Sequence, residues 1–485
     1  MKGKILSNKQ TKIAIVGGGI AGSTAALLLS QTDAEITLFE KAPSLVSGPP
    51  FCHLHAGGNL YPEISDEQCL TLLKQSIEFA RLYPHGVDHR PTVIALPEYC
   101  SRRTKHLLPR LQKLQARYKA LIEEDVKNKV LGDPSVYFKL YERAQIEALK
   151  DKEPVTIPET LDEWMIPFAK ETDLEKIQFP VILVQEYGLN LFRIGARLML
   201  SLDAHPSVNL RLSTTVTQIE KEEAQWILHS NTQNKDRTEN FDYLINAAGY
   251  QTGKIDDMVN VSCQRMVEFK AAYVSQWVHE SIHLWPEIIF QGERGTPRGM
   301  GQFTPYPQGY FQLHGMTKDI TLYEGGLVAS TALSCQPKLP QNFIEKIENS
   351  WRWEETVERT EKAIEHLARF IPSFVTAKVG SKPLFGAQQI PGTDPTLRVA
   401  EVAFPLPCYA RCEIVKVSST IDMSHAILDD LVKLGLTEAS VYNTMAFETM
   451  QQIQEDKITE QAEVLCQMRE YPKALAHRCV PEISN

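Results

Sequence analysis

The sequence predicts an α/β fold in which a domain built on a parallel sheet is interleaved with a domain built on a mainly antiparallel sheet. An apolar strand, a glycine turn and a helix open the chain over residues 12–29, and a second strand ends at Glu40. Residues 261–331 differ in character, because β-branched and aromatic residues alternate there with Gly and Pro turns, a pattern typical of antiparallel strands. The 485 residues are enough for two or three domains.

The glycine turn has the spacing that a nucleotide pyrophosphate requires. Gly17 makes the tight turn, Gly19 lets the backbone approach the phosphates, and Gly22 lets the helix pack against the strand. The helix N-terminus offers free N–H groups to the phosphates. Glu40 stands where an acid binds the ribose 2′-hydroxyl, which disfavours NADP. This pattern predicts a Rossmann-type dinucleotide site formed by Gly17, Gly19, Ile20, Ala21, Gly22, Glu40 and Lys41.

Composition and charge argue against several other classes of protein. The net charge of −9 argues against nucleic acid as a partner. The sequence contains no uncharged apolar run of about 18 residues, so we expect no transmembrane helix and a cytoplasmic protein that acts on a small molecule. The nine scattered cysteines predict neither a disulfide framework nor a metal site. A helix predicted over 105–130 carries many basic residues, so peripheral contact with a membrane or a quinone stays open. The sequence also leaves the oligomeric state open.

Hydrophobic periodicity predicts the order of the remaining elements. Helices are expected over residues 65–82, 105–130, 191–202 and 351–370, in the second half of 415–434, and in the tail from residue 437. Strands are expected over residues 92–96, 179–184, 208–212 and 241–249, and hairpins over 216–229 and 305–314. From this order we expect a nucleotide-binding domain of residues 1–90, 181–255 and 372–445, a substrate domain of residues 91–180 and 256–371, and a helical tail over 446–485.

Three features favour FAD over NAD as the cofactor. The glycine motif stands near the start of the chain, a strand–helix–strand block spans residues 185–212, and a turn of small residues, 246–249, follows at the end of a buried strand. Such a turn lets the chain pass close to a flavin nucleotide. We therefore expect Val216, Ala248 and Gly249 to contact FAD.

Taken together, these segments resemble the D-amino acid oxidase-like flavoproteins, a group that includes glycine and sarcosine oxidases, 2-hydroxyglutarate oxidases and, more distantly, malate:quinone oxidoreductase. The resemblance rests on the glycine motif with Glu40, the loop 55–59, the block 185–202, the turn 246–249 and the segment 416–420. It implies that His55, Gly57 and Gly58 face the flavin and that Ser419 marks a second flavin contact. The segment 416–420 lacks the glycines usual in the family, and covalent attachment of the flavin to His55 stays open.

The resemblance implies that the protein removes a hydride from a small amine, amino acid or 2-hydroxy acid to flavin N5. An alcohol substrate also needs a proton acceptor. His314, with Tyr310 on the same face of a predicted strand, is one candidate, and His55 is another. A substrate carboxylate is best bound by the forked guanidinium of an arginine, for which Arg265 and Arg398 are the candidates.

Two other functions fit the same predicted fold. One is a non-catalytic or regulatory protein, as in the GDP-dissociation-inhibitor group, although an intact phosphate turn with Glu40 favours an enzyme. The other is a flavin monooxygenase, but aromatic hydroxylases carry a Gly-Asp motif near the C-terminal flavin contact, and here Gly132-Asp133 stands in another region. The sequence leaves open the substrate and whether oxygen, a quinone or a protein reoxidises the flavin.

Overall fold

The computed structural model describes residues 10–48, 52–53, 64–278, 284–349, 351–438 and 453–480. Its strands are, in chain order, β1 (Lys12–Val16), β2 (Glu35–Phe39), β3 (Cys52–His53), β4 (Val87–Asp88), β5 (Thr92–Ala95), β6 (Phe138–Tyr141), β7 (Val181–Val184), β8 (Gly188–Leu189), β9 (Val208–Arg211), β10 (Thr214–Glu222), β11 (Gln225–Thr232), β12 (Lys235–Phe241), β13 (Tyr243–Asn246), β14 (Arg265–Gln276), β15 (Glu287–Phe290), β16 (Gly301–Pro305), β17 (Tyr310–Gly315), β18 (Leu327–Ala329), β19 (Lys378–Val379), β20 (Leu384–Pro391), β21 (Val402–Leu406) and β22 (Tyr409–Cys412).

Most of the predicted helices are present, and four further helices, α4, α5, α7 and α8, lie where none was predicted. They are α1 (Ile20–Leu29), α2 (Asp66–Leu82), α3 (Leu108–Glu124), α4 (Arg143–Leu149), α5 (Leu161–Glu171), α6 (Leu191–Asp203), α7 (Thr252–Met258), α8 (Gln341–Glu348), α9 (Trp353–Ala368), α10 (Thr420–Lys433) and α11 (Glu455–Met468). The helix predicted over 105–130 is shorter than expected. None of the helices in the described part of the chain combines the length and the apolar character needed to cross a lipid bilayer.

One sheet, which we call the parallel sheet, has the strand order β21-β22-β13-β1-β2-β9. All of its pairings are parallel except β21–β22. Both faces of β1 are covered, because Ile13 and Ile15 pack in the core that contains α1, α6 and α10, whereas Ala14 and Val16 pack towards β10–β12. Burial on both faces explains why β1 is a continuous apolar run rather than an alternating one.

The other main sheet, which we call the large sheet, has the order β18-β14-β17-β16-β15-β5-β7-β6, with β19 and β20 also paired to β14. Its pairings are antiparallel except β5–β15. Stacked aromatic rings, such as Phe303 on Phe311 with centroids 4.3 Å apart, pack one face together with helices α5 and α9. The predicted fold class is thereby confirmed: a Rossmann-type parallel sheet is interleaved with an antiparallel sheet.

Three strands lie on a different sheet from the one we expected. Strands β7, β19 and β20 fall within the ranges assigned to the nucleotide-binding domain, but β7 pairs with β5 and β6, and both β19 and β20 pair with β14, all in the large sheet. The reason is that an apolar run signals a buried strand without specifying its partner. The predicted tail contains α11, which packs against α6.

Helix α11 is held to the body of the protein by ion pairs around Glu455. Its carboxylate accepts hydrogen bonds from Arg193, which is 2% exposed, and from Arg478 Nη2 at 2.9 Å, and it lies 2.6 Å from His85 Nδ1. Burial alone would raise the pKa of Glu455, but the hydrogen bond with His85 and the two guanidinium charges lower this pKa from 4.5 to about 2.

We expect Glu455→Gln to lower the free energy of unfolding at pH 7 by about 1 kcal/mol, since water reaches this carboxylate and screens its pairs. A carboxyl whose pKa is lowered by folding stabilises the protein above pH 4.5, and this contribution is lost as the pH falls towards 2. Urea unfolding at several pH values measures the effect. The difference between wild type and variant should shrink with acid, and the exposed Glu460→Gln should show none. A difference that does not change with pH would contradict this account.

Candidate functional site

A cavity of about 1390 Å³ lies between the carboxyl edge of the parallel sheet and one face of the large sheet. Its volume exceeds the roughly 300–1,000 Å³ of pockets that take a drug-sized ligand. The walls come from the glycine turn, the ends of β2 and β13, strands β14 to β17 and β20, the loops 395–398 and 414–417, and the end of α11. In open α/β sheets, ligands generally bind outside the carboxyl ends of the parallel strands, which is where this cavity lies.

The three glycines of the turn have three different surroundings. Gly17 has φ +107°, and a Cβ there would lie 2.4 Å from the carbonyl oxygen of Ala247. A Cβ at Gly22 would lie 2.0 Å from the carbonyl oxygen of Gly17, so Gly22 serves helix packing and lies behind the cavity. A Cβ at Gly19 would meet no atom within 4 Å, because Gly19 faces the cavity. Ile20 and Ala21 complete this wall.

Glu40 directly follows β2 at the edge of the cavity, and backbone amides fix its carboxylate. Oε2 accepts a hydrogen bond from Gly18 N–H and Oε1 from Ala42 N–H, both at 2.7 Å. Burial raises the pKa of Glu40, and the hydrogen bonds from Ala42 and Gly18 oppose part of this rise. Each carboxylate oxygen keeps a second lone pair, which a ribose hydroxyl can use. Lys41 also lines the cavity, with its ammonium 5.6 Å from the centre of the Tyr250 ring.

The small-residue turn after β13 lies beside the glycine turn. Ala248 and Gly249 line the cavity together with Val216 at the start of β10. Asn246 itself is buried behind them, and its Nδ2 donates to the carbonyl oxygen of Thr252 at 2.9 Å. The amide of Asn246 therefore fixes the turn rather than contacting a ligand.

Some of the expected cofactor residues are not found in the cavity wall. Ser419 is fully buried and its hydroxyl donates to Gln75 Oε1 at 2.8 Å, so the wall at this edge is formed by residues 415–417 instead. The sequence located the segment but not the residue, because the short helical turn before α10 rotates Ser419 inward. His55, Gly57 and Gly58 lie outside the described residues.

The structure separates the two expected residues of strand β17. His314 lines the cavity and is 5% exposed, and its Nδ1 lies 3.3 Å from Thr321 Oγ1. Tyr310 is on the same face by alternation but packs against an apolar cluster that contains Phe192 and Leu475, so it does not line the cavity. The residues that cover Tyr310 come from α6 and the tail, which strand periodicity cannot reveal.

The two candidate arginines also have different surroundings. Arg398 lines the cavity, and its Nη1 donates to the carbonyl oxygens of Pro395 at 3.0 Å and Leu397 at 2.8 Å. Arg265 is 2% exposed and outside the cavity wall, with Nη2 3.4 Å from Asp256 Oδ2. We therefore correct the assignment of Arg265 to substrate binding, because its charge is balanced by a buried acid.

The Asp256 carboxylate, together with two thiols, forms a compact cluster next to Arg265. Asp256, Cys263 and Cys335 bring potential ligand atoms within 4.8 Å of one another. Arg411 Nη1 also lies 3.4 Å from Asp256 Oδ2. Two guanidinium groups on one carboxylate oppose a further cation there, so this cluster joins α7 to β14 by ion pairs.

Sequence reasoning missed several polar residues of the cavity wall. On β14, Lys270 Nζ lies 2.8 Å from Glu268 Oε2, and Arg294 from the loop after β15 pairs with the same carboxylate. Charged residues at alternate positions of an otherwise apolar strand were the signal available for this pair. Arg469, at the end of α11, donates to the carbonyl oxygen of Leu45 at 2.9 Å, and no local pattern predicts that contact.

The glycine turn lies in the part of the chain that matches a known family model. A family model described as a NAD(P)-binding Rossmann-like domain matches residues 15–48. Comparison with curated proteins gives no significant match.

Solved structures match nearly the whole chain. Glycerol-3-phosphate dehydrogenase from Bacillus halodurans, complexed with FAD, is 11% identical over 96% of this chain and 74% of its own, with a TM-score of 0.59. Glycine oxidase from Geobacillus kaustophilus is 12% identical over 92% and 100%, with a TM-score of 0.55. L-alpha-glycerophosphate oxidase from Mycoplasma pneumoniae, with FAD bound, is 15% identical over 90% and 98%, with a TM-score of 0.54. The chain has the fold of the D-amino acid oxidase-like flavoproteins.

In this flavoprotein fold we expect Gly22→Ala to lower the free energy of unfolding by about 1–3 kcal/mol, because the added methyl group meets a backbone oxygen that cannot move away. Gly19→Ala is the matched control, since its methyl group enters the cavity, and it should cost clearly less. Urea unfolding of the two variants makes the comparison. Equal destabilisation would contradict the different roles assigned to the two glycines.

Proposed function

We propose that this protein is an FAD-dependent oxidoreductase that removes a hydride from a small amine, amino acid or 2-hydroxy acid. The observation that carries the proposal is that one cavity joins the glycine turn at Gly17 to His314 and Arg398 on the opposite wall. A nucleotide site alone would need only the first wall. Proteins of the same fold that oxidise glycine or glycerol 3-phosphate, as their names state, support the reaction class.

The residues around the glycine turn fit FAD. The N-terminus of α1 would take the pyrophosphate, because the first turn of a helix has N–H groups without partners inside the helix and Gly19 presents no side chain. Glu40 would accept hydrogen bonds from the ribose, and Ala248 and Gly249 would allow close approach of the nucleotide. When bound, the flavin accepts the hydride at N5.

The opposite wall supplies groups suited to a small acid. The Arg398 guanidinium, held by the carbonyl oxygens of its own loop, would bind the substrate carboxylate. His314 would accept the proton of a substrate hydroxyl, with Thr321 orienting its ring. An amine that binds in its neutral form would not need this base.

The direct test uses the purified protein. We expect it to be yellow and to release FAD on denaturation, and we expect a panel of amino acids, N-methyl amines and 2-hydroxy acids to contain a compound that bleaches the flavin without oxygen. Bound FAD that no compound reduces would favour a regulatory protein instead. Recovery of NAD alone would reject the proposal.

Gly19→Val should abolish FAD loading while the protein still folds. The valine side chain would occupy the space of the pyrophosphate but would meet no protein atom at its Cβ. Flavin content per chain and the urea midpoint of the apoprotein are measured together. A variant that purifies with full FAD occupancy would contradict the assignment of the turn.

His314→Asn should slow flavin reduction by a 2-hydroxy acid by roughly 10²–10⁴-fold and leave FAD bound, since this is the usual contribution of a general base. Stopped-flow reduction at saturating substrate isolates the step. His229→Asn, on strand β11 away from the cavity, is the control. An unchanged rate would remove His314 from the mechanism and favour an amine substrate.

A further inference from the structure

Two thiols from distant parts of the chain meet beside the cavity. Cys263 stands two residues before β14, and Cys335 lies between β18 and α8, more than seventy residues later. Their sulfur atoms and a carboxylate oxygen of Asp256 all lie within 4.8 Å of one another. The backbone N–H of Cys263 donates to Cys335 Sγ at 3.0 Å. Since a disulfide joins sulfur atoms about 2.05 Å apart, side-chain rotation with a small main-chain shift can close the remaining gap.

The charges around the thiols favour a disulfide over a metal ion. Asp256 is fully buried, and Arg265 Nη2 and Arg411 Nη1 each lie 3.4 Å from its Oδ2. These guanidinium groups would repel a bound cation, whereas a disulfide carries no charge. Cys263 Sγ donates to the same Oδ2 at 3.4 Å. When this donor is lost on oxidation, the carboxylate keeps both arginines and the hydroxyl of Tyr409 at 2.7 Å.

The two thiols differ in access and in acidity. Cys335 is 5% exposed, and its thiol donates to the carbonyl oxygen of Val261 at 2.9 Å. Burial and the contact with the Cys263 thiol raise the pKa of Cys335 to about 12. Cys263 is only partly buried. An oxidant from solution therefore reaches Cys263 first, and Cys335 is placed to react with the product.

We propose that Cys263 and Cys335 are a reversible redox modification site, which hydrogen peroxide converts into a disulfide. The Cys263 sulfur attacks the peroxide, so that an S–O bond forms, the O–O bond breaks, and a sulfenic acid and one water molecule result. The Cys335 sulfur then attacks the Cys263 sulfur. The S–S bond forms, the S–O bond breaks, and the hydroxyl leaves with the Cys335 proton as a second water molecule. The two thiols lose two electrons, which the peroxide gains, and a small dithiol reverses the change by exchange.

The disulfide would fix one wall of the cavity. Ser334 Oγ donates to Asp257 Oδ2 at 2.6 Å, and Gln336 Nε2 donates to the carbonyl oxygen of Tyr250 at 3.0 Å. Residues 334–336 are thus hydrogen-bonded to α7 and to the turn before it. This turn and helix contribute four residues to the cavity wall: Tyr250, Lys254, Ile255 and Met258. A covalent bond at Cys335 holds the segment on α7, so the oxidised protein should release FAD more slowly.

Peptide mapping tests the site without any substitution. Trypsin, which cuts after lysine and arginine, places Cys263 in the peptide 255–265 and Cys335 in the peptide 319–338, each with a single cysteine. The folded, FAD-loaded protein is treated with hydrogen peroxide, and the remaining thiols are alkylated. We expect the two peptides to appear joined, at their summed mass less two hydrogen atoms, and to separate after dithiothreitol. Alkylation of both cysteines after peroxide, or oxidation of Cys263 to the sulfinic acid without a link, would overturn the proposal.

Serine variants test the order of the two steps. Cys263→Ser should remove the link. Cys335→Ser should also remove it and leave a sulfenic acid on Cys263, which dimedone labels. Cys100→Ser, which changes a partly buried thiol in the loop after β5, is the matched control and should keep the link. Absence of dimedone on Cys263 in the Cys335→Ser protein would contradict the first step.

The rate of FAD release measures what the link does. Reduced and oxidised wild-type proteins are diluted, and the fluorescence of the freed flavin is followed. We expect the linked protein to release FAD roughly threefold or more slowly, because the wall must open locally and the link opposes this opening. Peroxide-treated Cys335→Ser should release FAD at its own untreated rate. Equal rates for linked and unlinked wild type would overturn the effect on the wall. A protein without FAD would instead reject the proposed function, while the peptide map would still decide the thiol site.

Discussion

The cavity depends on the close approach of three backbone segments at Gly17. The end of β1, the start of α1 and the turn after β13 meet there, with no space for a Cβ at Gly17 or Gly22. Because β1 and β13 are neighbouring parallel strands, their carboxyl ends reach the same edge of the sheet. The glycine turn and the 247–249 turn thus face one ligand, although the chain between them spans more than two hundred residues.

The cavity wall opposite the glycine turn is formed by only part of one face of the large sheet, because other elements cover the rest of that face. On β14, Lys270, Ala272 and Val274 stand at every second position and therefore point to the same face of the large sheet. Ala272 and Val274 are covered by the apolar cluster under α6 and α11, whereas Lys270 lines the cavity. Only the part of the face beyond α11 stays open to the cavity. This division explains why His314 lines the cavity while Tyr310, on the same strand face, is covered.

Charge distribution gives the two ends of the cavity different chemistry. At the glycine turn, backbone N–H groups and a fixed carboxylate suit a nucleotide with its hydroxyl groups. At the large sheet, Lys270 and Arg294 pair with Glu268, and Arg398 lines the same end of the cavity. The tail takes part in both the fold and the cavity, since Glu455 anchors α11 at one end and Arg469 donates to the backbone after β2 at the other.

The sequence by itself determined the nucleotide turn, the acid that follows β2, the small-residue turn after β13 and the positions of the helices α1, α2, α3, α6, α9 and α10. These features are local, because spacing between glycines and the period of apolar residues fix the conformation and burial of each element. Only the tertiary structure decided that β7 and β20 join the large sheet, that Asp256 neutralises Arg265, and that Lys270 and Arg294 face the same cavity as Arg398. The physical reason is that such contacts join residues far apart in the chain, and periodicity records that a side chain is buried but not what it is buried against.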